Sequence, residues 1–158
     1  MDDQRLTEIL DRDAIRDVLT GYLDAVRRRD WMDVLSCFVS GAYADYGFDA
    51  ERTIEVQVGL LKKGIDRFRA STLLGSNCII TLRDDTASSE MMALTAHEAF
   101  ETSGERTRIS TVRYEDEWVR GSDREWRISR RCLDTVWKAW LDTRFDDRAG
   151  DHRHADEW

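Results

Sequence analysis

The chain has 158 residues, 41% of them hydrophobic and 35% charged, and a formal net charge of −8, which predicts one soluble domain with a single core. The negative charge argues against nucleic acid or an anionic membrane as the main partner, because both favour a basic surface, and it favours a small apolar or neutral ligand. No apolar run reaches the roughly 20 residues that span a bilayer, and the start lacks the apolar core of a signal peptide, so we expect a cytoplasmic protein.

The first predicted element is a long amphipathic helix over residues 5–29. Its apolar side chains follow the helical spacing of one buried stripe, formed by Ile15, Val18, Leu19, Tyr22 and Val26. This stripe places Tyr22 in the interior, whereas Asp24 lies opposite it and is expected in solvent. Asp30 is the expected N-cap of a second, short helix, Trp31–Phe38.

The pattern then changes to that of a short strand. Residues Ala42–Tyr46 alternate between the two glycines Gly41 and Gly47, which are predicted to break the flanking elements. A third helix is predicted from Glu51 to about Phe68 because apolar residues return to helical spacing there, although β-branched residues weaken this prediction.

Four long strands complete the predicted domain: Thr72–Leu82, Glu90–Glu101, Thr107–Val119 and Glu125–Ala139. The last two form a hairpin around the polar turn Arg120–Asp123 and carry three tryptophans. Because consecutive strands follow the helices, the fold class is predicted to be α+β, a curved antiparallel sheet wrapped on three N-terminal helices. We expect this domain to span residues 1–141, and the charged stretch 142–158 to be a flexible tail.

This order of elements resembles the SnoaL-like family of the nuclear transport factor two-like superfamily. The resemblance rests on GYLDAVRRRDWMDVLSCF at the front and VRYEDEWVRGSDREWRISRRCLDTVW at the back, and it covers residues 5–140. Similar members include scytalone dehydratase, hexachlorocyclohexane dehydrochlorinase and ketosteroid isomerase. The resemblance implies a cone-shaped, cystatin-like fold with a deep apolar pocket, and a cofactor-free isomerase, cyclase or lyase that acts on a hydrophobic ring compound.

The acid/base dyad of the dehydratases is not carried over by this resemblance. Their Asp corresponds to Arg27 and their general-base His corresponds to Leu73, which cannot accept a proton. Tyr22 matches the oxyanion-hole Tyr of ketosteroid isomerase, and Tyr46 matches a pocket Tyr of scytalone dehydratase. Tyr114 also aligns with a pocket-facing position of the family.

The remaining candidates depend on which strand face points inward. His97 is the imidazole base available to a cavity if Met91, Ala93, Thr95, His97 and Ala99 face inward, and it lies outside if the other parity does. Asp134 lies in an apolar strand and is either a proton carrier or half of an ion pair with Arg131 or Arg27. Asn77 and Trp137 are candidate substrate contacts.

Other features favour no cofactor and no metal. Cys37, Cys78 and Cys132 lack ligand spacing and are interpreted as reduced core residues. The cluster Arg127, Arg130 and Arg131 is interpreted as a solvated strand face or an interface rather than an anion site. The resemblance also implies a homodimer or homotrimer, since in this family the helices leave the outer face of the curved sheet uncovered. The alternative function is a non-catalytic subunit similar to the small subunit of ring-hydroxylating dioxygenases.

Overall fold

A computed structural model of the protein describes residues 3–48, 50–100 and 106–142. Residues 101–105, at the end of the predicted strand Glu90–Glu101, and, apart from Asp142, the predicted tail lie outside these residues. The three helices are α1 (Asp3–Arg28), α2 (Trp31–Ser36) and α3 (Ile54–Ile65), and the six strands are β1 (Phe38–Asp45), β2 (Arg52–Thr53), β3 (Phe68–Arg83), β4 (Thr86–Ala99), β5 (Arg106–Arg120) and β6 (Trp126–Asp142). The α+β prediction is therefore confirmed.

Local sequence signals explain where the first helices begin and end. Asp30 is the N-cap of α2, because its side chain accepts a hydrogen bond from the Asp33 backbone N–H at 3.1 Å. Arg29, just before this cap, has a φ of 60° and so ends α1. α3 is shorter than predicted at both ends, since Arg52 and Thr53 pair with β1 as a short strand. None of the helices in the described residues is long and apolar enough to span a bilayer.

The six strands form one curved sheet in the order β2-β1-β6-β5-β4-β3 that does not close on itself. Strands β3 to β6 form an antiparallel meander, whereas β1 pairs with β6 in parallel. That parallel pair departs from the predicted all-antiparallel sheet, and it arises because α2 leads directly into β1 beside the last strand.

The core lies between α1 and the concave face of the sheet. The predicted stripe of α1 is confirmed: Ile15, Leu19 and Val26 are almost fully buried. At the far end of the sheet, Asp11 of α1 pairs with Arg120 and accepts the Trp126 indole N–H at 3.1 Å. These contacts fix α1 across the strands, and a cavity remains beside it.

Two bulges in β6 decide which of its side chains face the core. Ser129 is an extra residue opposite the Glu117–Trp118 pair of β5, and Val136 is an extra residue opposite the Thr111–Val112 pair. Each extra residue reverses the alternation of the residues that follow it. As a result Arg131 points inward, whereas strict alternation from the buried Ile128 would have placed Arg130 there.

Candidate active site

A cavity of about 260 Å³ lies between α1, α3 and the concave face of the sheet. Three tyrosines line one part of it and a histidine another. Its wall includes Tyr22, Tyr46, Tyr114, Leu73, His97 and Arg108. The structure therefore brings together four of the seven site residues predicted from the sequence.

The tyrosines come from three separate elements. Tyr22 lies on α1, Tyr46 directly follows β1, and Tyr114 lies on the inner face of β5. The hydroxyl oxygens of Tyr22 and Tyr46 are 2.9 Å apart, and the Tyr22 and Tyr114 rings meet edge to face with centroids 5.9 Å apart. Because one hydroxyl of the pair donates to the other, one phenolic proton remains free to donate to a ligand oxygen.

All three phenols stay protonated at neutral pH. Burial raises the pKa of Tyr22, while the nearby Arg131 and the Tyr46 hydroxyl oppose that rise. Burial also raises the pKa of Tyr46 well above its ordinary value, with a further contribution from Tyr22. Burial likewise raises the pKa of Tyr114. The group therefore acts as a set of neutral donors.

A buried ion pair lies behind the tyrosines. Arg131 donates to both carboxylate oxygens of Asp116, at 2.6 and 2.8 Å, and both side chains have no solvent exposure. The guanidinium carbon lies 4.1 Å from the Tyr22 ring centroid and 4.6 Å from that of Tyr114. Burial opposes the charged form, but Asp116 outweighs it and holds the pKa of Arg131 well above its ordinary value. A permanent cation therefore faces the phenols.

His97 lies on the inner face of β4, as expected if the alternate residues from Met91 to Ala99 face inward. Its Nδ1 lies 2.8 Å from the Ser71 hydroxyl, and its ring lies against Phe68 with centroids 5.0 Å apart. Burial, together with the positive charge of Arg108, lowers the pKa of His97 to about 4. The imidazole is thus neutral at pH 7. When Nδ1 donates to Ser71, the lone pair of Nε2 is available to accept a proton.

Leu73 lines the same cavity as the tyrosines and His97. By the family resemblance this is the position of the general-base His of the dehydratases, and here it is apolar. Leu73 pairs with Thr95 of β4, two residues before His97. The hydroxyl groups of Thr95 and Ser110 lie 2.7 Å apart and form a hydrogen bond with each other. Arg27, at the other dyad position, is exposed and pairs with Asp24 at 2.7 Å.

Three predicted site residues lie away from the cavity. Asp134 is on the outer face of β6 and forms an exposed ion pair with Arg113 at 2.7 Å, so an ion pair is present but neither suggested partner takes part. Trp137 is on the outer face because the bulge at Val136 reverses the alternation. Asn77 is exposed within the irregular pairing between Gly75 and Cys78.

The sequence interpretation missed Arg131 and Asp116. Arg131 had been assigned to a solvated face or an interface, which is wrong because the bulge at Ser129 turns it inward. Asp116 offered a usable signal, since it shares the parity of Tyr114 and Trp118, two large aromatic residues of β5. A carboxylate in such an apolar row requires a buried partner. Of the predicted core cysteines, Cys37 is buried and the other two are half-buried.

A larger groove of about 460 Å³ lies between α1 and β3. It is more open than the cavity, and two of its three charged residues, Asp24 and Arg27, pair with each other at the surface, the third being Arg16. Within the described ranges, no three His, Cys, Asp or Glu side chains come together as a possible metal site. The chemistry-bearing groups are therefore concentrated in the smaller cavity.

Comparisons with known proteins agree with this fold. The family model of the SnoaL-like domain matches residues 7–132. No curated protein sequence shows a significant match. Among solved structures, hexachlorocyclohexane dehydrochlorinase from Novosphingobium barchaimii has a TM-score of 0.77 at 16% identity, covering 90% of this chain and 97% of its own.

Two further structures show the same architecture. A scytalone dehydratase candidate from Novosphingobium aromaticivorans has a TM-score of 0.73 at 21% identity, covering 92% of this chain and 94% of its own. A protein from Kribbella flavida has a TM-score of 0.75 at 17% identity, covering 84% and 95%. At such identities the likeness describes the fold rather than the reaction.

Proposed function

The chain belongs to the SnoaL-like domain family, and we propose that it is a cofactor-free isomerase or lyase that acts on a hydrophobic ring compound bearing a carbonyl group. One observation carries the proposal: a buried pair of phenols, 2.9 Å apart, lines the same cavity as a neutral histidine. Donors for a developing oxyanion and an acceptor for a proton are the two groups that enolisation requires.

The phenols bind the substrate oxygen. The carbonyl oxygen accepts the phenolic proton that the Tyr22–Tyr46 hydrogen bond leaves free. As charge develops on that oxygen, the buried cation of Arg131, 4.1 Å from the Tyr22 ring, stabilises it through the phenols. These groups are already oriented before the reaction, since the protein packs them from three elements.

His97 moves the proton. Nε2 accepts a proton from the carbon next to the carbonyl while the C–H electron pair forms the enolate double bond. In an isomerase, the proton returns to a different carbon. In a lyase, a leaving group on the adjacent carbon departs with its bonding electrons. Because the pKa of His97 is about 4, it is a weak base, and the reaction therefore depends on strong oxyanion stabilisation.

Exchange of carbon-bound hydrogen for deuterium tests this step without the natural substrate. We expect the protein to accelerate deuterium incorporation next to the carbonyl of a bound cyclic ketone such as 1-tetralone, measured by proton NMR in D₂O. The same reaction without protein gives the background. Binding of the ketone with no acceleration above that background would contradict the enzyme proposal.

That outcome would support the second candidate, a ligand-binding protein or subunit without chemistry. Two observations favour this alternative: Leu73 presents only apolar atoms to the cavity, and Arg27 is on the surface with Asp24. Neither residue can perform the dyad chemistry of the dehydratases. A binding protein would still need the apolar cavity and the orienting phenols.

We also propose that the protein is a homo-oligomer, dimeric or trimeric. An apolar row crosses the outer face of the sheet, where Leu74 pairs with Leu94, Leu94 with Thr111, and Thr111 with Trp137. Leu74 and Trp137 are 57% and 48% exposed. Exposed apolar side chains aligned in this way are typical of an interface between subunits.

A further inference from the structure

A third space, of about 430 Å³, adjoins the cavity. Phe48 and Arg108 line both spaces, so they form the boundary between them. The outer pocket, which we call the vestibule, is lined by Phe48, Arg67, Phe68, Arg106, Arg108 and Trp140, among others. A molecule that fills the cavity and extends into the vestibule contacts these residues.

The vestibule is strongly cationic although the chain carries a net charge of −8. Arg67, Arg106 and Arg108 line it, and Lys138 lies at the neighbouring cavity wall. Among the residues that the structure describes, only Arg106 has a carboxylate partner, the exposed Asp142 at 3.4 Å. The other cations form no ion pair with a described carboxylate. The described residues of the vestibule thus carry a local charge opposite in sign to the net charge of the chain.

Within the described part of the chain, Arg108 is held in place by one aromatic ring, that of Phe68, rather than by an acid. Its guanidinium carbon lies 4.7 Å from the Phe68 ring centroid. Phe68 in turn packs against His97 and Trp140, at centroid distances of 5.0 and 6.2 Å. This packing fixes the orientation of the side chain, while its guanidinium N–H groups donate to none of the described residues.

One N–H group of Arg108 is buried away from water, and no described residue accepts a hydrogen bond from it in place of water. Its Nε is buried and has no hydrogen-bond partner among the described residues. Burial and the nearby charge of Arg67 also lower the pKa of Arg108. A half-buried guanidinium beside a second cation is costly, because none of the described residues supplies an anion to compensate it. Such an arrangement becomes favourable when a ligand supplies the anion.

We propose that the natural ligand is a ring compound that carries a carboxylate, with the ring in the cavity and the carboxylate on Arg108 in the vestibule. A planar guanidinium matches the two oxygens of a carboxylate, and Arg67 and Arg106 add favourable charge. The inference deepens the proposed function by naming the substrate class. It replaces the neutral ligand that was expected from the net charge. The net charge was misleading because a sum over the chain does not reveal a local cationic patch.

The test compares two probes of the same shape that differ in charge, 2-naphthoate and 2-naphthamide, by equilibrium dialysis against the full-length protein. We expect 2-naphthoate to bind about tenfold more tightly, since a hydrogen bond to a charged group contributes on the order of that factor. We expect Arg108→Met to remove this preference and to leave 2-naphthamide binding within about twofold, because the methionine keeps the packing on Phe68. Arg124→Met, a matched exposed position outside both pockets, should change neither affinity.

Two further measurements test the proposal even if Arg108→Met does not fold. Arg67 is exposed, so Arg67→Met is expected to fold and to weaken 2-naphthoate by about threefold. Higher salt should weaken 2-naphthoate binding and spare 2-naphthamide. Equal affinity of the native protein for the two probes, or binding of neither, would overturn the proposal. Because no turnover is measured, these results are independent of whether ketone exchange is catalysed.

Discussion

At the scale of single residues, the position of Tyr22 relative to Tyr46 is the feature on which the proposed chemistry depends. Their hydroxyls are buried and 2.9 Å apart. A phenol pair of this kind is oriented before a ligand arrives, so little reorganisation is needed when charge develops on a bound oxygen.

Removal of the Tyr22 hydroxyl should therefore slow the reaction rather than unfold the protein. We expect Tyr22→Phe to lower the rate of ketone deuterium exchange about 100-fold, with the thermal transition still cooperative in circular dichroism. Tyr43→Phe is the matched control, because Tyr43 is 52% exposed and outside the cavity. A near-native exchange rate in Tyr22→Phe would refute the role of this phenol.

The low pKa of His97 shifts the pH at which activity changes. We expect the exchange rate to be flat across the neutral range and to fall as pH drops through about 4, where His97 becomes protonated. His97→Gln should lower the rate and remove this acid limb. A rate that instead titrates near pH 6.5 would show that His97 is not the proton acceptor.

Protein stability should report the same titration with a defined sign. His97 has a pKa of about 4 when folded and 6.5 as an ordinary imidazole, so the unfolded chain binds the extra proton between these values. The contribution of His97 to the free energy of unfolding is fully present above pH 6.5. As the pH falls towards 4, the free energy of unfolding decreases by about 3 kcal/mol through this group. Urea unfolding at several pH values, with His97→Gln as the comparison, measures this loss.

At the scale of secondary-structure elements, the two bulges of β6 decide what the sheet presents to each side. The bulge at Ser129 turns Arg131 inward to Asp116, and the bulge at Val136 turns Trp137 outward. Strands β5 and β6 therefore share an ion pair in the core, Arg131–Asp116, as well as exposed pairs such as Arg113–Asp134 on the surface.

These two pairs make a matched comparison. Asp116→Asn should lower the free energy of unfolding by about 3–5 kcal/mol, because it leaves the Arg131 charge buried without its counterion. Asp134→Asn should change it by less than about 1 kcal/mol, since water screens the exposed pair. Urea denaturation measures both. Equal effects of the two substitutions would contradict the burial of the inner pair.

At the scale of the whole molecule, the curved sheet offers its concave face to the cavity and its convex face to solvent. The apolar row that ends at Trp137 lies on the convex face and points away from the ligand. Assembly and ligand binding are therefore expected to use opposite sides of one sheet, so that each can be changed separately.

We expect the native protein to be a dimer or trimer at micromolar concentration by size-exclusion chromatography with light scattering. Trp137→Glu should shift it to a monomer because a carboxylate disrupts an apolar interface. It should leave 2-naphthoate binding unchanged. Met32→Glu, at a 76% exposed position of α2, is the control and should not alter the mass. A native protein that is strictly monomeric would contradict the proposed assembly.

The sequence by itself determined the order of helices and strands, the buried stripe of α1 with Tyr22, and the Asp30 cap. These features depend on spacing over a few residues, which a single chain segment fixes without its partners. The sequence also located β4. It did not determine which face of β4 points inward, because the residues of both faces are apolar.

Only the tertiary structure decided which groups meet. The bulges in β6 arise from pairing with β5, so alternation from Ile128 predicts the wrong face for Arg131, and the second bulge then returns Trp137 to the outer face. Asp134 finds Arg113 rather than Arg131 or Arg27, because strand register selects the partner. The cations of the vestibule and the adjoining cavity wall come from the turn between α3 and β3, from β5 and from β6. The net charge of −8 does not reveal this patch, because a sum over the chain contains no information on position.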